Sequence, residues 1–303
     1  MNIFITGASG YIGSVLVKSL SNFFFIVAGS QKKIPTLLKK KNIKYKIINY
    51  ESIKSLKKNL ENIDAVIHLV GMNKAACKKK NTKSLKFKEK ATFNIIKACK
   101  HNKIKKLIYL SSSQVYKDFQ KKPINEKSKL DKVDTYSLSH LLAEKIIMSE
   151  NIENYTIIRA SNIFGLYEKK NVGEQRNNLV HSLIDEAIKY STITLNNPNI
   201  KKNFLPISIL IANIKLILNS NKYDRTIMNL GFKSMTLYNL AKMIKNRFKI
   251  LKNKKIDILI PKKLNDNKSN HKYISLIKKF VYSQKKFIIE IDSIINLLMK
   301  KNV

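Results

Sequence analysis

The stretch Thr6-Gly7-Ala8-Ser9-Gly10-Tyr11-Ile12-Gly13 decides the fold. It follows an apolar run and opens an amphipathic segment, so we predict that it is the turn between a strand and a helix. Gly7 allows a tight turn, Gly10 lets the backbone approach a pyrophosphate, and Gly13 lets the helix pack closely on the strand. The helix N-terminus then offers N–H groups and a positive dipole end to phosphates. An ordinary strand–turn–helix is the alternative, and three glycines at this spacing disfavour it.

Strand-like and helix-like segments alternate through the first half of the chain, which predicts an α/β fold with a doubly wound parallel sheet. After Gly165 the alternation loosens, and we expect a smaller C-terminal α/β lobe. The predicted strands are Asn2–Thr6, Phe23–Ala28, Tyr45–Asn49, Ala65–Val70, Lys106–Leu110 and Tyr155–Arg159. The predicted helices are Tyr11–Leu20, Ile53–Leu60, Phe87–His101, Tyr136–Met148, Asn177–Tyr190, Thr236–Phe248 and Ile288–Met299.

The formal net charge is +39, from 59 Lys and Arg against 20 Asp and Glu. Such a charge is typical of proteins that bind nucleic acid or an anionic membrane. Arginine, the residue best suited to bidentate phosphate and base contacts, is scarce, however, and the lysines are spread along the whole chain. We therefore expect a solvated basic surface with weak, salt-sensitive attraction for polyanions and no specific nucleic acid.

Cysteine usage and the N-terminal sequence bear on the compartment. Cys77 and Cys99 are the two cysteines, and they form no CxxC pair and no disulfide framework. The first apolar run is short and ends in a glycine-rich turn, unlike a signal peptide. No apolar run approaches the roughly 20 residues that span a bilayer, and the histidines lack metal-ligand spacing. We expect a cytoplasmic protein with no membrane association and no metal.

Further motifs follow the glycine-rich turn in order. They are Asp64-Ala-Val-Ile-His-Leu-Val-Gly71, Ser111-Ser-Ser-Gln-Val-Tyr116, Tyr136-Ser-Leu-Ser-His140 with Ala143-Glu144, Arg159-Ala-Ser-Asn-Ile-Phe-Gly165, and Met228-Asn-Leu-Gly231. Together they resemble the extended short-chain dehydrogenase/reductase superfamily, in its NAD-dependent epimerase/dehydratase branch of nucleotide-sugar enzymes. The resemblance implies a Rossmann dinucleotide-binding domain over 1–165, with part of 200–230 returning to its sheet, and a substrate-binding lobe over most of 166–303.

The resemblance also implies where the dinucleotide binds. The expected cofactor-binding residues are Gly7, Gly10, Tyr11, Ile12, Gly13, Ser30, Lys32, Lys33, Leu69, Val70, Gly71, Tyr136 and His140. At the end of the second strand an acid would bond the ribose 2′-hydroxyl of NAD, whereas basic residues would accept the 2′-phosphate of NADP. This chain has Ser30, Lys32 and Lys33 there and no acid, which favours NADP(H) over NAD(H).

The resemblance makes Tyr136 the general acid/base and Ser112 the group that bonds the reacting substrate oxygen. A lysine normally stands four residues after the tyrosine, where it bonds the nicotinamide ribose and lowers the tyrosine pKa. This chain has His140 instead, and an imidazole is charged much less often at pH 7. His140 is retained as the third catalytic candidate because it can still donate to a ribose hydroxyl. Lys88 aligns with a usual asparagine on the preceding helix; we interpret it as one more surface lysine, with replacement of the missing charge as the alternative.

The residues after Ser112 bear on the reaction. Nucleotide-sugar dehydratases carry an Asp-Glu pair where this chain has Ser113 and Gln114, which cannot exchange protons at neutral pH. This disfavours dehydration and favours epimerisation or keto-reduction of a nucleotide-linked sugar. The expected substrate-binding residues are Ser112, Ser113, Asn162, Asn178, Leu179 and Lys202, with Arg176 and Asn177 beside them. A homodimer is expected by resemblance, and a catalytically impaired dinucleotide-binding sensor or scaffold is the alternative function.

Overall fold

The computed structural model describes residues 1–32, 41–71, 73–79, 81–116, 123–131, 134–150, 152–166, 178–261, 272–277 and 281–301. The strands there are β1 (Asn2–Ile5), β2 (Phe25–Ser30), β3 (Ile43–Ile47), β4 (Ala65–His68), β5 (Lys106–Ser112), β6 (Tyr155–Ala160), β7 (Asn162–Phe164), β8 (Thr192–Thr194), β9 (Lys201–Pro206), β10 (Thr226–Leu230), β11 (Lys233–Thr236) and β12 (Asp257–Leu259). The helices are α1 (Tyr11–Leu20), α2 (Ile53–Asn59), α3 (Lys74–Lys79), α4 (Asn81–His101), α5 (Thr135–Ser149), α6 (Leu179–Tyr190), α7 (Ile207–Leu218), α8 (Leu237–Lys252) and α9 (Gln284–Lys301).

A seven-stranded sheet in the order β10-β6-β5-β4-β1-β2-β3 confirms the predicted α/β fold. The pairings from β3 through β2, β1 and β4 to β5 are parallel. Strands β1, β2, β4 and β5 are mostly apolar and buried, as is typical of a parallel sheet covered on both faces, whereas the edge strand β3 is partly exposed. The chain leaves β1 toward β2 on one side and returns with β4 on the other, so the strand order reverses at β1. In such sheets ligands bind beyond the carboxyl ends of the strands at this reversal.

The chain divides into two compact units. The first comprises Met1–Lys117, Ser128–Arg159 and Asn213–Met228. Its core packs α2, α4 and α5 against the sheet through residues such as Phe4, Ile95, Tyr109 and Ile147.

The second unit comprises Asp118–Lys127, Ala160–Ala212 and Asn229–Val303. It holds a three-stranded sheet, β11-β9-β7, and the pair β12-β8. Its core is built from α6, α8 and α9, with Phe204, Ile244 and Ile291 among the buried side chains. Among the described residues no helix is both long and apolar enough to cross a bilayer.

Candidate functional site

The glycine-rich turn has the backbone geometry that its sequence predicts. Gly7 has a φ of +66°, a conformation that glycine adopts without strain. A Cβ on Gly10 would lie 3.2 Å from the Gly7 carbonyl oxygen, and a Cβ on Gly13 would overlap that oxygen. The Tyr50 hydroxyl connects the glycine-rich turn to β2, because it accepts from Gly7 N–H (3.1 Å) and donates to the Gly29 carbonyl (2.9 Å). Tyr50 had no place in the sequence analysis.

The N-terminus of α1 suits an anion. Gly10 caps the helix without a side-chain hydrogen bond, and the first turn contains no acidic residue. Tyr11 and Ile12, the first helical residues, are partly exposed. The N–H groups of this end are therefore not covered by a capping side chain, and the helix dipole adds positive potential. The turn and the helix end together fit the pyrophosphate of a dinucleotide.

The carboxyl end of β2 carries the residues expected to select between NAD and NADP. Ser30 is buried, and its hydroxyl donates to Ser9 Oγ (2.7 Å) and accepts from Lys32 N–H (3.2 Å). The Ser30–Ser9 bond ties the strand end to the glycine-rich turn. Lys32 is exposed, and Lys33 lies outside the described residues.

The end of β4 is anchored beside the same turn. Thr6 Oγ1 accepts from Leu69 N–H (2.8 Å) and pairs with His68 Nδ1 (3.0 Å), while His68 Nε2 pairs with Thr92 Oγ1 (3.1 Å). Burial lowers the pKa of His68 to about 3, so its imidazole is neutral. His68 thus links β1, β4 and α4 structurally. Leu69, Val70 and Gly71 follow it beyond the carboxyl end of β4, with Gly71 exposed.

Ser112 and Tyr136 come together at the end of β5. The Ser112 side chain lies close enough to the Tyr136 phenol to affect its pKa, and Ser112 Oγ accepts from Gln114 N–H (3.2 Å). Burial raises the pKa of Tyr136, and the Ser112 hydroxyl opposes part of that rise. Ser113 is buried in the short 3₁₀ turn that follows. A hydroxyl pair of this kind can hold one substrate oxygen and move its proton.

Tyr136 is positioned by the well-capped start of α5. Asp134 accepts from Ser137 N–H (2.8 Å), and Ser137 Oγ accepts from Asp134 N–H (3.0 Å), which completes a capping box. Lys74 Nζ contacts the Asp134 carboxylate (2.9 Å) and the Gln114 side chain (2.7 Å). It therefore joins α3 to the cap of the helix that bears Tyr136 and to the turn that follows Ser112.

His140 is buried next to Tyr136, with the two ring centroids 4.7 Å apart and edge to face. Its Nδ1 lies 2.9 Å from the Tyr109 hydroxyl. Burial lowers the pKa of His140 well below its ordinary value, and the positive charge of Lys88 adds to the effect. The imidazole is therefore neutral at pH 7 and does not supply the charge of the lysine that it replaces.

Lys88 is not a surface residue, so that interpretation was wrong. Its exposed fraction is 3%, and its ammonium lies 5.7 Å from the ring centroid of Tyr109. The helix α4 begins six residues before the predicted Phe87, which places position 88 well inside the helix on its buried face. Lysine abundance concealed this, because only the period of α4 distinguishes an inward lysine from an outward one.

A buried ion pair fixes the far side of α5. Arg159 donates to both Glu144 carboxylate oxygens (2.7–3.3 Å) and to the Tyr116 hydroxyl (2.8 Å), and Ser111 Oγ donates to Glu144. These residues stand within the sequence motifs, although the motifs alone predict no role for them. The network connects α5 to β5 and β6 and so supports the placement of Tyr136.

The expected substrate residues Asn162, Asn178, Leu179 and Lys202 all lie in the second unit. Asn162 Nδ2 donates to the Asn203 carbonyl (2.7 Å), and Asn178 caps α6, which Leu179 begins, by accepting from Val180 N–H (3.1 Å). Lys202 is half-buried on β9. Arg176 and Asn177 lie outside the described residues.

Comparisons with known proteins agree on one family. Residues 3–222 match the NAD dependent epimerase/dehydratase family. The chain is 30% identical over 261 residues to a dTDP-D-glucose 4,6-dehydratase from Dictyostelium discoideum, covering 76% of this chain and 58% of that protein. It is 26% identical over 225 residues to a UDP-glucose 4-epimerase from Bacillus subtilis (strain 168), covering 68% of this chain and 66% of that protein. The chain thus spans about three fifths of the first of these relatives and just under two thirds of the second.

One solved structure shows the same fold over the full length of the chain. The UDP-glucuronic acid 4-epimerase from Bacillus cereus, in complex with UDP-glucuronic acid and NAD, superposes with a TM-score of 0.81. Its sequence identity is 18%, and the match covers 99% of this chain and 100% of that one.

Proposed function

Because the chain belongs to the NAD dependent epimerase/dehydratase family, we propose that it is a dinucleotide-dependent epimerase or keto-reductase acting on a nucleotide-linked sugar. The observation that carries the proposal is the proximity of the Ser112 and Tyr136 side chains at the carboxyl end of β5. This pair lies at the carboxyl ends of the strands, as does the glycine-rich turn, which follows β1 two strands away from β5.

The chain's own groups would hold the dinucleotide. Gly7, Gly10 and Gly13 clear the space above β1, and the N–H groups of α1 from Tyr11 and Ile12 onward would bind the pyrophosphate. Leu69 to Gly71 would line the adjoining edge, and His140 would donate to a ribose hydroxyl. When bound, the nicotinamide supplies reversible hydride transfer at a substrate carbon.

Tyr136 performs the proton transfer in this mechanism. Its Oη takes the proton from the substrate hydroxyl during oxidation and returns it to the carbonyl oxygen during reduction. Ser112 Oγ donates to that same oxygen and fixes its position. Since burial raises the pKa of Tyr136, the phenol keeps its proton at neutral pH. The reductive direction therefore suits neutral pH, and oxidation should gain with rising pH.

Ser113 and Gln114 favour epimerisation or reduction over loss of water. Neither side chain can exchange a proton at neutral pH, and Gln114 Oε1 accepts from Lys74. One relative bears the name of a dehydratase, however, so family membership does not exclude dehydration. The choice depends on the absence of an acidic residue at these two positions.

We propose NADP(H) rather than NAD(H) as the cofactor. Ser30 and the exposed Lys32 support it, since no acidic residue stands at the end of β2 to accept a hydrogen bond from the ribose 2′-hydroxyl. The Ser30 hydroxyl bonds Ser9 and Lys32 N–H, so Lys32 is the described residue that would meet a 2′-phosphate.

Substrate binding by Ser113, Asn162, Asn178, Leu179 and Lys202 and the homodimer belong to the same proposal. Asn178 would act by fixing the start of α6, because its side chain caps that helix. Exposed apolar residues on α4 and α5, Phe93 and Met148, support self-association through the helix that bears Tyr136. Light scattering at micromolar concentration would measure the oligomeric state.

The proposed function is tested by titrating the protein with NADPH and NADH and then screening nucleotide sugars for turnover. Product analysis separates the reactions, since an inverted hydroxyl indicates epimerisation and a 4-keto-6-deoxy product indicates dehydration. Binding without turnover of any substrate would favour the catalytically impaired sensor or scaffold.

A further inference from the structure

Lys88 places a buried ammonium beside Leu69 to Gly71, the segment after β4 that is expected to line the dinucleotide site. A Cβ on the exposed Gly71 would lie 3.2 Å from Lys88 Nζ, so the missing side chain at position 71 leaves room for the lysine. The ammonium thus stands at the boundary between the core and the sheet edge, next to the backbone that follows β4.

This ammonium has no carboxylate partner in the described part of the chain. The carboxylate that acts on Lys88 electrostatically is that of Glu144, whose oxygens are occupied by Arg159 and Ser111. The remaining groups around it are His68 on β4, Cys77 on α3, Tyr109 on β5 and His140 on α5. Burying an ammonium without a counter-charge is costly, and selection retains such groups mainly where they serve a site.

Because His140 is neutral, Lys88 is the positively charged member of the Lys88–His140 pair. The imidazole pKa is held low, so no proton charge develops there near neutrality. Lys88 and His140 flank Tyr109 from α4 and α5, with Lys88 over its ring and His140 at its hydroxyl. His140 supplies a neutral hydrogen-bond donor, and Lys88 supplies a positive charge.

We propose that Lys88 contacts the bound dinucleotide from α4 past Gly71, where it donates a hydrogen bond and supplies the positive charge that the neutral His140 lacks. This inference rests on the proposed function, because it requires the dinucleotide to bind along the edge from Leu69 to Gly71. The partner is a dinucleotide rather than a free anion because the same edge continues into the pyrophosphate-binding turn at β1.

The proposal makes dinucleotide affinity depend on pH. Burial lowers the pKa of Lys88 to about 7, and the Cys77 thiol and the Glu144 carboxylate oppose part of this. Binding a polyanion favours the protonated amine, so affinity for NADH and NADPH should fall as pH rises above about 7. His68 and His140 stay neutral over this range and Tyr136 keeps its proton, so they do not account for such a change.

The test compares Lys88→Met with Lys86→Met, which makes the same change at an exposed position of α4. NADH and NADPH affinities are measured by fluorescence titration between pH 6 and 9, and stability by urea unfolding. We expect Lys88→Met to weaken binding about 10- to 100-fold at pH 6.5, as loss of a charged hydrogen bond does, and to abolish the pH dependence. It should also unfold at higher urea than wild type, since it removes a buried charge, while Lys86→Met behaves as wild type.

Distinct results separate this inference from the proposed function. If wild type binds neither dinucleotide, the proposed function fails and the inference fails with it. If wild type binds but Lys88→Met binds equally with the same pH profile, the inference alone is wrong. Lys88→Met that unfolds at lower urea would show a structural role and would also overturn it. Gly71→Ala gives a second measurement, because its Cβ would lie 3.2 Å from Lys88 Nζ and force the ammonium to shift by a few tenths of an ångström, which should weaken binding slightly without removing the lysine.

Discussion

The hydroxyl of Tyr109 lies 2.9 Å from Nδ1 of His140, and this bond determines which nitrogen of the imidazole carries the proton. Burial raises the pKa of Tyr109, so the phenol keeps its hydrogen and needs an acceptor. Nδ1 is the acceptor within reach in the described residues, so the neutral ring carries its proton on Nε2. His140 therefore offers an N–H donor in a fixed orientation.

Tyr109→Phe should disturb this arrangement without changing the charge of the site. It leaves a buried Nδ1 without its phenol donor and frees the ring to change tautomer, which should cost about 1–3 kcal/mol in the free energy of unfolding. Affinity for NADPH should weaken as well, because the Nε2 donor is no longer fixed. Urea unfolding and fluorescence titration measure the two effects. The control is Tyr155→Phe at the half-buried start of β6; equal behaviour of the two variants would show that the Tyr109–His140 bond is unimportant.

Gly13→Ala should destabilise the first unit. The new Cβ would overlap the Gly7 carbonyl oxygen and lie 2.9 Å from Ala8 Cα, and neither backbone atom can move alone. Overpacking of this kind costs about 1–3 kcal/mol, measured as a lower urea midpoint. Ser14→Ala, one residue further along α1, should change the midpoint much less. A Gly13→Ala variant with wild-type stability would mean that the turn packs less tightly against α1 than the structure shows.

Much of the fold follows from the sequence, because period and glycine spacing are local. The bounds of α1 match the predicted Tyr11–Leu20, and β1 to β6 lie within two residues of the predicted strands. The later strands β7 to β12 had no predicted bounds. The helix α7 was missed, since ISILIANIKLIL is apolar nearly all round and shows neither a helical nor a strand period. The short α3 was missed as well, because a single turn and a half of lysine and alanine resembles a basic loop.

The candidate site is less predictable than the fold. Tyr136, Ser112 and the glycines stand in motifs whose order reveals them. The burial of Lys88 depends on where α4 begins and how it is rotated, and its ammonium meets Tyr109, 21 positions away. The Tyr109–His140 bond joins residues 31 positions apart, which no local pattern encodes. Among lysines so numerous, composition hides the one that is buried.

Cofactor preference should depend on Lys32. NADPH should bind more tightly than NADH, and Lys32→Glu should weaken NADPH binding by about threefold to tenfold, as expected for one exposed charge contact reversed in sign. Calorimetry at fixed ionic strength measures both affinities. Lys41→Glu makes the same charge change just before the amino end of β3. Ser30 of β2 pairs with Ile47 at the carboxyl end of β3, so Lys41 is at the other end of the parallel pair and the change should have little effect. Equal affinities of the wild type for both dinucleotides would remove the argument for NADPH.

The proposed mechanism depends on Tyr136 as the proton-transfer group. The most direct test is steady-state turnover of a verified nucleotide-sugar substrate by wild type, Tyr136→Phe and the control Tyr155→Phe, with NADPH affinity measured on the same samples. We predict that Tyr136→Phe loses about 10²- to 10⁴-fold in kcat while its NADPH affinity stays within about twofold of wild type, since only the proton-transfer hydroxyl is removed. Full activity of Tyr136→Phe would contradict the account.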